Sequence, residues 1–249
     1  MPALEGIAIR GIGDVKPGDS LAELLLDALK RQRLRLRDGD ILIAKHKIVS
    51  KAEGRVVALA GVKPSARALR WAKATDHDPR LAELALRNAR RVVRMKQVMI
   101  TETEHGLVCA NSGVDVSNVD GGDTAVLLPR SPDGSARRLM LALRRRLQVQ
   151  IPVIISDGFG RPWREGLTEV AIGVAGLAPV LDLCGVRDPY GYELHATREA
   201  VADELACVAG LVCGKLNSVP ACVVRGYRYR PGKGSARQLI RPPEQDLFR

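Results

Sequence analysis

Residues 152–166 read Pro-Val-Ile-Ile-Ser-Asp-Gly-Phe-Gly-Arg-Pro-Trp-Arg-Glu-Gly. The stretch begins as a short apolar run typical of a buried strand and changes at Ser156 to acidic, basic and glycine residues. A carboxylate at the end of such a strand is held rigidly at a sheet edge, where its oxygens can bind a hard cation. Asp157 is therefore a candidate metal ligand.

Two arginines follow Asp157 in the same stretch. Arg161 and Arg164 are candidates for clamping a phosphate or a carboxylate, since guanidinium groups bind both with paired hydrogen bonds. The structural alternative is that they pair with Asp157 and Glu165 while Trp163 packs in the core.

Outward from this stretch, helical and extended patterns alternate without a regular βαβ rhythm, which favours an α+β fold with mixed sheets. A Ser-x-x-Glu capping box opens one helix. The spacing of apolar residues predicts helices over 20–29, 65–75, 80–90, 135–147 and 197–213, and strands over 41–44, 92–101 and 219–224. Thr197 is the expected cap of the last of these helices and Gly214 its C-terminal cap.

The chain is strongly basic, with 39 Lys and Arg against 28 Asp and Glu, a net charge of +11. Such a balance favours anionic partners: nucleic acid, or phosphorylated and carboxylated small molecules. Seven cations and two anions fall in 225–249, and we expect 227–249 to form a loosely held basic tail. The five cysteines show no Cys-x-x-Cys pair, which favours a reducing cytoplasm, and we expect no membrane partner.

Two further segments are candidates for chemistry. Residues 111–123 are rich in carboxylates, amides and glycines, an oxygen-rich loop suited to magnesium or manganese, or else a polar turn. Lys51 follows a predicted strand and precedes Gly54, so it could be held against a phosphate, or be an ordinary surface lysine. The glycines at 158–160 and 232–234 match neither a dinucleotide fingerprint nor a P-loop.

Seven characteristic motifs occur in order along the chain, at 50–54, 105–118, 156–164, 171–177, 190–194, 202–204 and 214–215. Taken together, these motifs closely resemble the coenzyme F-420-0:L-glutamate ligase family, the gamma-glutamyl ligases of the deazaflavin coenzyme. The resemblance covers roughly residues 5–226 in the form without a flavin-binding second domain, and the tail lies outside it.

The resemblance implies a two-lobed α+β protomer over 1–226, an intertwined homodimer, and a GTP-dependent ligase. That enzyme would join L-glutamate to the carboxylate of the deazaflavin precursor through an acyl phosphate, then add gamma-linked glutamates. It also implies manganese or magnesium and stimulation by potassium.

The expected site residues fall into two groups. Asp115 and Asp157 match metal ligands by motif, and Lys51, together with Arg161 and Arg164 from their residue types, completes the expected catalytic set. The expected nucleotide contacts are Ile12, Gly13, Asp14, Val15, His46, Lys47, Lys51, Asn118, Gly214 and Lys215, with His46 and Lys47 placed on the strand before Lys51.

One position departs from the family pattern. Gly158 stands where many relatives have Thr or Ser, so a second metal site would use the backbone carbonyl or water, or be weaker. Two alternative functions stay open: a paralogous nucleotide-dependent amide ligase with another acceptor, and a basic nucleic-acid-binding protein. Only eight aromatic residues are present, so the chain supplies few base-stacking side chains and nucleic acid is the less favoured partner.

Overall fold

A computed structural model describes residues 3–116 and 123–246. Its centre is a five-stranded sheet of order β1-β12-β2-β8-β9, in which β2 and β8 are parallel and the other neighbours are antiparallel. These strands span Glu5–Ile9 (β1), Ile41–Lys45 (β2), Val153–Arg161 (β8), Arg164–Ala175 (β9) and Ala221–Arg225 (β12).

Both faces of this sheet are buried, because its strands are apolar at consecutive positions rather than at alternate ones. In β2, Leu42 and Ala44 face a core formed with helices α1 and α5, whereas Ile41 and Ile43 face a second core formed with α6. The helices span Leu21–Arg31 (α1), Pro132–Leu147 (α5) and Val201–Cys213 (α6). The sheet is thus the middle layer of three.

The remaining elements are short. The seven-residue helix His46–Ala52 (α2) follows β2 directly. Two small cores and two small sheets, β3-β7 and β4-β5-β6, occupy the segment between residues 56 and 126. Their elements are Val56–Ala58 (β3), Ala66–Thr75 (α3), Pro79–Arg87 (α4), Ala89–Met95 (β4), Met99–Thr103 (β5), Val108–Ala110 (β6) and Thr124–Val126 (β7); Leu181–Asp182 (β10) pairs with Arg198–Glu199 (β11). In the part of the chain that the structure describes, no helix is both long and apolar enough to cross a membrane.

The α+β class with mixed sheets is confirmed, and most predicted elements are found within a few residues of their expected bounds. Two predictions are wrong. The single strand over 92–101 is a hairpin, β4 and β5, because the polar residues Lys96 and Gln97 form its turn. Thr197 does not cap α6, since residues 198–199 form β11 and Ala200 is the N-cap.

The basic segment after Arg225 is not loosely held. Ala178 N–H donates to the carbonyl of Arg230, 2.9 Å away, and Leu177 and Pro231 form a β-bridge. Ala236 is buried in the core under α6. Residues 230–236 of the tail are therefore part of the packed structure.

One carboxylate, Asp133, attaches the tail to the central sheet. Its Oδ1 accepts from the N–H groups of Val174 in β9, at 2.8 Å, and of Ala236, at 2.9 Å. Its Oδ2 accepts from Ser235 Oγ at 2.7 Å. Because Asp133 lies in the first turn of α5, this one side chain joins a helix, a strand and the tail.

We expect Asp133→Ala to lower the free energy of unfolding by about 2 kcal/mol or more, because it leaves three donors without their charged acceptor. Denaturant unfolding measures this loss. Asp27→Ala is the matched control, since Asp27 is exposed on α1, and it should change stability far less. Equal effects of the two substitutions would contradict the role given to Asp133.

Candidate active site

A cleft of about 240 Å³ opens at the end of the parallel strand pair β2–β8. It is bounded by the N-terminal loop at 13–15, the β2–α2 junction, Asp115, the middle of the β8–β9 hairpin, and the segment 214–220 that follows α6. Five separate segments of the chain therefore meet around one space, and most of the polar groups in its wall are charged.

The parallel register of β2 and β8 sets the geometry of this cleft. Lys45 of β2 lies opposite Ser156 of β8, so the residues that follow them, His46 and Asp157, are neighbours. His46 Nε2 lies 3.3 Å from Asp157 Oδ1, although the contact lacks hydrogen-bond geometry. The prediction that His46 and Lys47 lie on a strand is wrong, because β2 ends at Lys45 and both residues belong to α2.

Lys45 and Glu169 form the most buried ion pair of the cleft. The Lys45 ammonium contacts Glu169 Oε1, and the two side chains are 19% and 10% exposed. Ser156 Oγ donates to the other oxygen, Glu169 Oε2, at 2.8 Å. Glu169 is thus held from two sides.

Two further ion pairs come from α2. Lys47 Nζ lies 2.7 Å from Asp115 Oδ2, and Lys51 Nζ lies 2.9 Å from Asp14 Oδ1. Lys51 lowers the pKa of Asp14 below its ordinary value, through the hydrogen bond first and the charge second. The pair therefore persists at neutral pH and is lost only when the pH falls through the lowered pKa of Asp14.

Lys215 has a different environment from these lysines. Within residues 3–116 and 123–246, no ion pair or hydrogen bond is found for its side chain. Its ammonium lies 3.9 Å from the position that a Cβ would take on Gly158, and Glu169 Oε1 lies 3.5 Å from the same position. Gly158 thus leaves room for a small group between a cation and a carboxylate.

The structure brings most of the predicted site residues to this one cleft. They are Gly13, Asp14, Val15, His46, Lys47, Lys51, Asp115, Asp157, Gly158, Gly214 and Lys215. Ile12 does not line it, because its side chain is buried in the core beside α1. Asn118 lies outside the described residues.

Arg161 and Arg164 are not among the residues that line the cleft. They sit at the far end of the β8–β9 hairpin, where Arg161 Nη2 donates to the backbone carbonyl of Glu165 at 2.8 Å. Residue 161 is three positions beyond Gly158, a span of about 10 Å along a strand. Trp163, between the two arginines, is 86% exposed, so it does not pack in the core of the protomer.

Two charged residues of the cleft escaped the sequence analysis, Lys45 and Glu169. Lys45 ends an otherwise apolar strand, and Glu169 is a lone acid in a run of small and β-branched residues. Both are charges placed in strongly apolar surroundings, which is a usable signal because such groups need a partner. What the sequence could not give is that Glu169 pairs across the hairpin with Gly158.

The donor set suits a hard divalent cation that is shared with a substrate. Among the described residues, no three His, Cys, Asp or Glu side chains converge as a complete metal cage. Magnesium, however, is usually held by one or two carboxylates, with phosphate and water oxygens as the other ligands. Asp115 and Asp157 could supply those carboxylates, and the carbonyl of Gly158 a further oxygen.

A cysteine nucleophile does not fit this site. Burial raises the pKa of Cys213, at the end of α6, to about 11, although Lys45 acts in the opposite direction. A thiol with this pKa is protonated at neutral pH and is a poor nucleophile. The chemistry of the cleft therefore depends on charges and oxygen ligands.

Comparison with known proteins gives the family of the chain. The family model described as F420-0:Gamma-glutamyl ligase matches residues 10–226. The chain belongs to this family.

Its relatives match over nearly the whole chain. The coenzyme F420:L-glutamate ligase of Methanothermobacter thermautotrophicus is 46% identical over 247 residues, 98% of both chains. Those of Methanopyrus kandleri and Methanocaldococcus jannaschii are 43% identical (94% of this chain and 93% of the relative) and 41% identical (86% of each). The family model ends at residue 226, as expected, whereas the similarity to the first relative continues into the tail.

The carboxylate of Glu169 depends on a glycine of α6. A Cβ added at Gly210 would lie 2.7 Å from Glu169 Cγ, too close for the side chain to stay where Lys45 and Ser156 hold it. Glycine in a helix interior normally destabilises by about 1 kcal/mol relative to alanine. Here the missing side chain makes room for Glu169.

We therefore expect Gly210→Ala to lower the thermal unfolding midpoint of the protein, against the usual effect of this substitution in a helix. In a Glu169→Ala background the same change should raise the midpoint, because the clash is gone and only the helix preference remains. A stabilising effect of Gly210→Ala in both backgrounds would show that Glu169 does not need this space.

Proposed function

We propose that this protein is a GTP-dependent coenzyme F-420-0:L-glutamate ligase. It forms an amide between L-glutamate and the carboxylate of the deazaflavin precursor, and then adds further glutamates through gamma linkages. One observation carries the proposal: the cleft unites lysines and carboxylates from five segments, within a chain that is 46% identical to a ligase of this name.

The charges of the cleft fit amide formation driven by a nucleotide. Joining an amine to a carboxylate requires the carboxylate to be activated, most simply as an acyl phosphate. The γ-phosphoryl group passes to the acceptor carboxylate and GDP leaves; the glutamate amine then attacks the acyl carbon and phosphate leaves. Phosphoryl transfer is catalysed mainly by positioning and charge neutralisation, and it needs no covalent nucleophile.

The side chains divide this work by charge. Lys47, Lys51 and Lys215 can hold phosphate oxygens, and Lys215 supports this role because it has no partner among the described residues. Asp115 and Asp157 can hold manganese or magnesium, which when bound would neutralise phosphate charge. Buried His46 lies against Asp157 and restricts the orientation of that carboxylate. Potassium, Asn118 and the arginines at 161 and 164 stay as expectations.

Mass analysis tests the activity directly. The full chain is incubated with GTP, manganese, L-glutamate and the deazaflavin precursor, and the products are examined for added glutamyl mass. Omitting GTP or replacing it by ATP tests the nucleotide. A product with another amino acid or another acceptor would instead support the paralogous ligase, which Gly158 keeps open.

We expect Asp157→Asn to reduce turnover by about 100-fold or more. Substituting a residue that only hydrogen-bonds to a metal ligand typically lowers metal affinity or activity by about 10- to 100-fold, and loss of the ligand itself should cost at least as much. The substitution keeps the shape of the side chain but removes the charge that binds the cation. Product mass against time, measured over a range of manganese concentrations, gives the effect. Asp27→Asn, on the exposed face of α1, is the control; near-normal activity of Asp157→Asn would contradict the assignment.

Nucleic-acid binding is the second candidate, and the exposed arginines at 33, 35 and 37 favour it. It requires binding to duplex DNA that weakens steeply with salt and is lost when these arginines become glutamine. Deleting the tail is not a suitable test, because the tail is packed against the sheet. Glutamyl transfer that is unaffected by the arginine substitutions would support the ligase.

A homodimer is proposed as the working form, in the cytoplasm where GTP and glutamate are found. Trp163 and Tyr190 are 86% and 96% exposed, and we expect a second copy of the chain to cover such large aromatic side chains. The mass of the particle in solution, by light scattering, distinguishes a dimer from a monomer.

A further inference from the structure

One short segment contacts four carboxylates in the cleft, three of them through a lysine. Residues 45, 46, 47 and 51 contact Glu169, Asp157, Asp115 and Asp14, in that order, and these acids come from four separate parts of the chain. Before any ligand enters, three lysines of the cleft are therefore already paired with its carboxylates. A divalent cation at Asp115 and a phosphate at Lys47 would each need one member of a pair that is already formed.

The pairs differ in how readily they could change partners. Lys45 and Glu169 are mostly buried, and Ser156 donates a hydrogen bond to the second oxygen of Glu169. Breaking this ion pair would therefore cost the most free energy of the three lysine pairs. At the other extreme, Asp14 is 65% exposed, and water screens its attraction to Lys51. Breaking that pair changes little.

The pair between Lys47 and Asp115 lies between these extremes. Its side chains are 19% and 32% exposed, so the charges are partly shielded from water but can still be reached from the cleft. Asp115 is also one of the two carboxylates that could bind a divalent cation. A cation that binds Asp115 while Lys47 stays beside it meets a like charge, and a phosphate that binds Lys47 beside Asp115 meets one too.

We propose that Lys47 and Asp115 form an exchange pair, which couples the binding of divalent cation to the binding of nucleotide. When both ligands are present, Asp115 turns to the cation and Lys47 to a phosphate, so neither charge is left without a partner. When only one ligand is present, the ion pair competes with it. The inference rests on the proposed function, since it takes a nucleotide and a divalent cation as the ligands of this cleft.

The proposal predicts that two substitutions of binding residues strengthen ligand binding instead of weakening it. Lys47→Met removes the competitor of the cation and should strengthen binding of Mn²⁺ alone, by about fivefold if the pair is worth about 1 kcal/mol. Asp115→Asn removes the competitor of the phosphate and should strengthen binding of GTP in EDTA by a similar factor. A pair that is merely structural would weaken both ligands, or neither, when it is broken.

Matched controls lie outside the cleft. Arg146→Met and Glu23→Gln make the same changes of charge at an exposed ion pair between α5 and α1, and each should shift the corresponding affinity by less than about twofold, because this pair does not line the cleft and water screens its charges. Free Mn²⁺ is measured by electron paramagnetic resonance, and GTP binding in EDTA by titration calorimetry. Thermal unfolding checks that each variant is folded.

The outcomes separate the inference from the proposed function. Larger shifts for Lys47→Met and Asp115→Asn than for their controls support the exchange pair. Equal shifts in the two pairs, or weaker binding in the Lys47 and Asp115 variants, overturn it even when the wild-type protein binds manganese and GTP together. Failure of the wild-type protein to bind that combination overturns the proposed function, and the inference with it.

Discussion

The parallel pairing of β2 with β8 is the constraint on which the cleft depends. It aligns two apolar strands so that their polar continuations leave the sheet at the same edge, with Lys45 opposite Ser156. A shift of one residue in this register would move every side chain of β8 to the opposite face and separate His46 from Asp157. Because both faces of the sheet are buried, the two cores hold the register in place.

Much of this arrangement could be predicted from the sequence. The apolar runs at 41–44 and 152–155 gave the two central strands, and the carboxylate after the second run pointed to the site. Local signals of this kind are strong because a strand buried on both faces has almost no polar residues. Asp157, Lys51 and Gly214 were found in this way or by resemblance, and all three line the cleft.

The remainder depends on contacts between distant residues, which no local pattern contains. Nothing in the sequence around Glu169 reveals that it faces Gly158 across a hairpin and meets Lys45 from another strand. The arginines at 161 and 164 illustrate the opposite error. Their residue types suggested anion binding, but the long hairpin carries them beyond the cleft, and its length is fixed by the pairing of β8 with β9 rather than by composition. The tail is a similar case. Its basic composition suggested a loosely held segment, but Ser235 and Ala236 donate hydrogen bonds to Asp133, which lies about 100 residues earlier in the chain.

The close approach of Gly210 to Glu169 also has an evolutionary consequence. The Cγ of Glu169 takes the space that a side chain at position 210 would fill. Position 210 cannot then drift by itself: a side chain at 210 would be compatible only with a residue at 169 that has no atom in the place of the Glu169 Cγ. Across diverging lineages the two positions should therefore covary, although 41 residues separate them along the chain.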